Sequence, residues 1–99
     1  MTEHPRHRLI DALTHPVRFS LVAALSATDN ADFATLRDQL GVSDSVLSRQ
    51  ISQLEELGIV AVKKGYVGKR PRTWLSLTDD GRRQWAAHLD ALRAIAGSY

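Results

Sequence analysis

The sequence predicts a single, mainly α-helical domain that carries one small β-hairpin, and three observations predict it. Apolar residues recur at helical spacing in several short runs. Two of these runs are separated by little more than Gly41. A stretch of alternating β-branched residues is followed by a second one across a loop containing Gly65, Gly68 and Pro71.

Taken in order, Leu9, Ile10 and Leu13 predict a short first helix at about 6–14, interrupted at His15-Pro16. Proline suits the first turn of a new helix, so HPVRFSLVAALSA reads as a second one with Val17, Leu21, Val22 and Leu25 inward, ended by TDN. FATLRDQLG sets Phe33, Leu36 and Leu40 on one stripe and stops at Gly41, suited to a left-handed exit. In VSDSVLSRQISQLEELG, Ser43 is the N-cap, Asp44 complements the positive helix start, and Leu47, Ile51, Leu54 and Leu57 or Gly58 point inward. These last two helices, at about 33–57, form a helix-turn-helix candidate. IVAVKKG and RTWLSL give the hairpin at about 59–77. Thr78 then caps a final helix at about 79–96, with Trp85, Leu89, Leu92 and Ile95 or Ala96 on its stripe and Gly97 at its end.

Composition narrows the function. The chain has 99 residues with 43% hydrophobic content, enough for one core over 1–99 but hardly for two. A chain of this size buries only about 60 to 65% of its unfolded surface, so association of two copies is a natural way to add buried area. No cysteine is present, which removes disulfides and thiolate metal or redox sites. The N-terminal stretch lacks the apolar region of a secretory signal, and no segment approaches about 20 apolar residues, so a cytoplasmic protein without membrane contact is expected.

Charge is informative through its distribution. The net charge is only +2, yet every charged residue between Glu56 and Asp79 is basic: Lys63, Lys64, Lys69, Arg70 and Arg72. A cationic hairpin gains affinity for a nucleic-acid backbone by releasing counterions from phosphates. A solvated hairpin whose lysines merely discourage edge-strand pairing is the alternative, and the helix pair before it weighs towards nucleic acid. On that pair's second helix, rotation by about 100° per residue from inward-facing Leu47 places Ser45, Arg49, Ser52 and Glu56 outward, flanked by Val46, Ser48 and Gln53. Small hydroxyl residues allow close approach to base edges. Arg49 can pair with guanine, and Gln53 can read adenine or meet a phosphate. Glu55 and Glu56 would repel phosphates, so readout should come from the first half of the helix.

The segments HPVRFSLVAAL and FATLRDQLGVSDSVLSRQISQLEELGIVAVKKGYVGKRPRTWLSLTDDGRRQW resemble the short winged-helix transcriptional regulators related to the MarR and ArsR groups. The resemblance runs from about His15 to Trp85. It implies a winged helix-turn-helix fold, a bacterial homodimer built from terminal helices, and a regulator, expected to be a repressor, bound to an inverted-repeat operator in double-stranded DNA. By motif position it implies DNA contacts from Ser43, Ser45, Val46, Ser48, Arg49, Ser52 and Gln53, from a wing with Lys63, Lys64, Lys69, Arg70 and Arg72, and from Thr35 and Arg37 to phosphate. Leu9, Leu13, Trp85, Leu89, Leu92 and Ile95 are the expected dimerisation residues, although the row Trp85, Leu89, Leu92 and Ile95 can also pack on Leu9, Ile10 and Leu13 of its own chain, and both can hold together.

No cofactor is expected. The absence of cysteine excludes the thiolate metal sites of many ArsR-like regulators. His88 and Asp90 lack the ligand spacing of one helical face, and His4 and His7 sit in the N-terminal arm. Trp74 and Trp85 read as aromatic anchors, and Tyr66 as a wing ring able to pack on a sugar, a cation or its own loop. Catalysis is not expected either: the serines at 43, 45, 48 and 52 have no histidine in the same motif, and His15 reads as a capping or packing residue. A protein-interaction module, or a nonspecific nucleic-acid-binding one, is the competing reading. The residues leave any small-molecule effector open.

Overall fold

Each helix begins where the sequence supplies a side-chain acceptor for its first free N–H groups. In the computed structural model, which describes residues 3–97, His15 Nδ1 accepts from Val17 N at the start of α1, Pro16–Ser26. Asp32 accepts from Thr35 N at the start of α2, Phe33–Leu40. Ser43 does so for Val46 N in α3, Asp44–Glu56, and Thr78 for Gly81 N in α4, Asp79–Ala96. These caps are the ones the residue types favour. Their placement sets the length of every connection.

The chain folds as a winged helix-turn-helix with a three-stranded antiparallel sheet in the order β1-β3-β2. The strands are β1, Ala31–Asp32, β2, Val60–Val67, and β3, Arg70–Leu77. Gly41, at φ 64°, ends α2 in the left-handed conformation and leaves only Val42 and Ser43 before α3. Gly68, at φ 63°, makes a two-residue hairpin turn with Lys69, with Val67 facing Arg70. The sheet is therefore more regular than a loop from Gly65 to Pro71 would allow: Gly65 faces Arg72 and Tyr66 faces Pro71 within the ladder. Pro71 is tolerated because β1 pairs only with Trp74 and Leu75, leaving β3 free on that side at the proline.

One core joins these elements. Leu21, Val22 and Leu25 of α1, Leu36 of α2, and Leu47, Ile51 and Leu54 of α3 pack with Ile59, Val60, Leu75 and Leu77. The helix caps and the inward stripes of α1 to α3 thus stand as the periodicity indicates, with Val17 only partly buried. Phe19 lies 4.9 Å from Trp85 between ring centroids, which anchors α4 on α1.

Three expectations need correction. The segment at 6–14 is not an α-helix but two 3-10 turns, Pro5–Arg8 and Asp11–Leu13, with Leu9 and Ile10 extended between them. Prolines at both ends make a continuous helix too short to offset its nucleation cost, and the extended backbone frees the Ile10 N–H for His88 Nδ1, 3.0 Å away. Leu57 is not inward: it is 54% exposed, because α3 ends one residue earlier and Gly58, at φ 76°, turns the chain so that Ile59 takes the buried place. Of the two places open to Leu13, a dimer face or packing within its own chain, the structure gives the second: it is fully buried in its own core. The short strand β1 was not visible in the sequence pattern.

The start of α4 is fixed on the α3–β2 junction. Thr78 Oγ1 donates to the Gly58 carbonyl at 2.6 Å, while Thr78 N donates to the Ile59 carbonyl at 3.0 Å. Gly81 passes directly over that carbonyl, and a Cβ there would collide with it. Gly81→Ala gains about 1 kcal/mol of helix propensity but must displace backbone. A net loss of about 1 to 3 kcal/mol is expected in urea unfolding.

Burial governs His88 as well, since its side chain is 1% exposed. Desolvation lowers its pKa below the ordinary 6.5, partly opposed by the Leu13 carbonyl. The unfolded chain therefore takes up a proton on this imidazole at a higher pH than the folded chain does. Stability from His88 is complete above about pH 6.5 and falls as pH drops below that value. Urea midpoints measured from pH 7.5 to 5 should decline over the acidic part of that range, with a shallower slope in His88→Gln.

Candidate nucleic-acid interface

The capping of α3 by Ser43 and the burial of Leu47, Gln50, Ile51 and Leu54 determine which side of the helix remains outside. That side carries Ser45, Val46, Ser48, Arg49, Ser52 and Gln53, all exposed. Ser43 Oγ lies 3.2 Å from Ser45 Oγ, so the first turn presents two adjacent hydroxyls. Among the described residues no ion pair or side-chain hydrogen bond occupies Arg49. Gln50 is the surprise of this helix: a polar residue only 8% exposed, at a position where the periodicity could have shown burial but residue type argued against it.

The wing supplies the second cationic element. Lys63 and Lys64 lie on β2, Lys69 at the hairpin tip and Arg70 at the start of β3; all are exposed, and none is ion-paired among the described residues. Tyr66, at 74% exposure, projects from the same hairpin. One small scaffold thus carries an exposed guanidinium on α3 and a wing whose Lys63, Lys64, Lys69 and Arg70 are exposed. Val46 adds an apolar contact, with 41% of its surface exposed.

Several of the expected contact residues are already engaged within the chain, Gln53 among them through Arg18 Nη1 at 3.3 Å. Arg37 pairs with Asp44 at 2.9 Å and with Asp38 at 3.1 Å, which raises its pKa further, Asp44 contributing most. Its guanidinium ties α2 to the first turn of α3, so a phosphate contact would have to replace carboxylates. Thr35 donates both its N–H and its hydroxyl to Asp32. Arg72 lies 3.8 Å from Asp32 and 5.8 Å from the centre of the Trp74 ring. Asp32 thereby caps α2 and touches the wing at once. The Thr35 N–H holds its carboxyl below the ordinary range, with help from the Thr35 hydroxyl and Arg72 and against partial burial. A residue pair so distant in sequence as Asp32 and Arg72 gave no local signal.

The residues expected at a dimer face are also sorted by the fold. Gly81, His88 and Ala91 face inward on α4, Trp85 packs against the core, and Leu89, Leu92 and Ile95 are partly exposed, as is Leu9 in the arm. Among the described residues no group of three or more His, Cys, Asp or Glu side chains could hold a metal ion, and no helix is long and apolar enough to cross a membrane.

With this geometry in view, the family is identifiable. Residues 17–96 match the family model of the winged helix DNA-binding domain. The chain belongs to that family, whose members bind DNA rather than catalyse reactions, and it is a DNA-binding transcriptional regulator of MarR-like fold. It is 32% identical over 66 residues to uncharacterized protein MJ0432 of Methanocaldococcus jannaschii, covering 67% of this chain and 72% of that one. Its fold superposes on a transcriptional regulator homologue from Pyrococcus horikoshii with a TM-score of 0.87 and 27% identity, over 97% of this chain and 96% of that one. Similar folds occur in the PcaV regulator of Streptomyces coelicolor, solved with its natural ligand (TM-score 0.75, 21% identity, 92% of this chain and 63% of that one). Another is the regulator MOSR of M. tuberculosis, solved with DNA (TM-score 0.72, 20% identity, 94% and 66%).

Proposed function

We propose that the protein is a sequence-specific repressor that binds an inverted-repeat operator as a homodimer, with α3 of each subunit in a major groove and the wing against the adjacent backbone. The observation that carries this reading is the outer face of α3: small hydroxyls around Arg49, whose guanidinium has no partner among the described residues. A guanidinium left free on a helix flanked by serines can form the bidentate contact to guanine O6 and N7. Lys63, Lys64, Lys69 and Arg70 supply affinity through phosphates, which position the helix without reading sequence.

The partly exposed row of Leu89, Leu92 and Ile95, with Leu9 beside α4, supports pairing with a second copy. Two-fold pairing makes the operator an inverted repeat with half-sites about 34 to 36 Å apart. Repression follows from occupancy, since a protein seated across two major grooves blocks other proteins from the same duplex. That MOSR, a regulator of similar fold, was solved in complex with DNA supports DNA as the ligand of this reading.

The reading is tested with duplexes selected from a random library, titrated by fluorescence anisotropy at several salt concentrations against scrambled controls. A preference of about a thousandfold for the selected duplex is expected, with a sedimenting species of twice the chain mass. Arg49→Ala should relax base choice at one position by about 1 to 3 kcal/mol, whereas Lys69→Ala should weaken all duplexes alike and reduce the salt slope by about one. Equal loss on selected and scrambled duplexes in Arg49→Ala would remove its reading role, and a monomer at micromolar concentration would remove the dimer.

A further inference from the structure

Arg18, on α1, lies outside both the helix-turn-helix and the wing, yet its guanidinium reaches the flank of α3. Nη1 donates to Gln53 Oε1 at 3.3 Å. Nε is buried without an acceptor, and Gln50 Oε1, three residues before Gln53 on α3, is buried without a donor. Nη2 has no partner among the described residues either, but it is not buried. One edge of the guanidinium is therefore sunk between α1 and α3, while the edge formed by Nη1 and Nη2 stays at the surface beside Gln53. No carboxylate offsets this charge: among the described residues the ion pairs engage Arg37, Arg72, Arg83 and Arg93, not Arg18. A buried N–H with no acceptor costs stability that an apolar side chain would not, so packing alone gives no reason for a guanidinium here.

We propose that Arg18 is a DNA-backbone contact that holds one phosphate on the α1 side of α3, a third cationic element besides the reading helix and the wing. The proposal rests on α3 being the reading helix. The major groove is about 12 Å wide and a helix with its side chains about 10 to 12 Å across, so the bordering phosphates run close along both flanks of an inserted helix. Rotation by about 100° per residue sets Gln53 about 40° and Gln50 about 100° to the same side of Arg49, and Gln50 is the one turned inward. That flank faces α1, and Arg18 stands on it where Gln53 comes out to the surface. Arg37, on α2, is already met by Asp38 and Asp44. Arg18 is met only by a neutral amide, which leaves its charge for an anion. Nη1 keeps a second hydrogen after donating to Gln53, so Nη1 and Nη2 can donate side by side to the oxygens of one phosphate. Burial of Nε restricts the side chain before DNA arrives, which lowers the ordering cost of the contact.

The test starts from a duplex selected by the wild-type chain and replaces each phosphate of one half-site in turn by a neutral methylphosphonate. Wild type and Arg18→Met are titrated against the series at several salt concentrations. Wild type should lose about tenfold at the phosphate that Arg18 holds. Arg18→Met should bind the unmodified duplex more weakly, with the salt slope reduced by about one per subunit and the same selected sequence. At that one phosphate it should show no further loss, while losses at the others persist as in wild type. If Arg18→Met keeps the full wild-type loss at every phosphate, Arg18 only braces α3 and the proposal fails. It fails also if Arg18→Met selects different bases, which would make Arg18 act on the reading itself. Should Arg18→Met not fold, Arg18→Gln replaces it, keeping a donor for Gln53 without the charge, and must be equally insensitive at that phosphate. A wild-type chain that selects no sequence refutes the regulator reading and this inference together. A selected duplex in which neither variant abolishes the loss at any phosphate refutes this inference alone.

Discussion

The Ile59 carbonyl is the point on which the arrangement of wing and helices depends. It accepts from Thr78 N, and the Thr78 hydroxyl donates to the neighbouring Gly58 carbonyl while accepting from Gly81 N. Three elements therefore end or begin within one hydrogen-bonded knot: α3 ends, β2 leaves, and α4 starts. Side chains here are small because backbone must approach backbone, which is why Gly81 is buried at a helix position that otherwise favours alanine. The direction in which the wing leaves α3 is consequently a property of backbone bonding and not of any surface contact.

Charge is divided in a way that follows from this rigidity. Cations close to the helix-turn-helix framework, Arg37 and Arg72, meet Asp44, Asp38 and Asp32, and so hold α2, α3 and the wing in register. Each such pair at the surface contributes little stability by itself. Their effect is geometric, since they orient elements whose packing is already settled by the leucine core. The cations farther out, Arg49 and the wing lysines, have no carboxylate partner among the described residues and remain exposed.

Much of this was legible in the sequence because it is local. Ser43 and Thr78 are capping residues beside helical runs, Gly41 marks a left-handed exit, and the stripe through Leu47, Ile51 and Leu54 follows a period that needs only neighbours to be seen. What escaped notice depends on distant partners. The arm from Pro5 to Leu13 has helical spacing, but its backbone hydrogen bonds go partly to His88, which no local rule anticipates. β1 is too short for any alternation, existing only because β3 has a free edge at Trp74 and Leu75. Gln50 was legible by position, since it lies on the inward stripe of α3, but its polar side chain argued against the burial that the fold imposes. On the reading face, exposure followed from periodicity, whereas the engagement of Arg37, Thr35 and Arg72 by carboxylates required three dimensions.

The bond from Ile10 N to His88 Nδ1 joins residues 78 positions apart, near the two ends of the described chain. Closing so large a loop costs chain entropy that one hydrogen bond does not offset alone, so this contact depends on the burial of Leu13 and His88 around it. The arm that carries Ile10 also sends Leu13 into the leucine core shared by α1, α2, α3 and the sheet, and Ile10 and Trp85 pack against that same core. The two ends of the described chain are thereby tied to the same core that holds α3, so a change in either end reaches the scaffold of the helix-turn-helix.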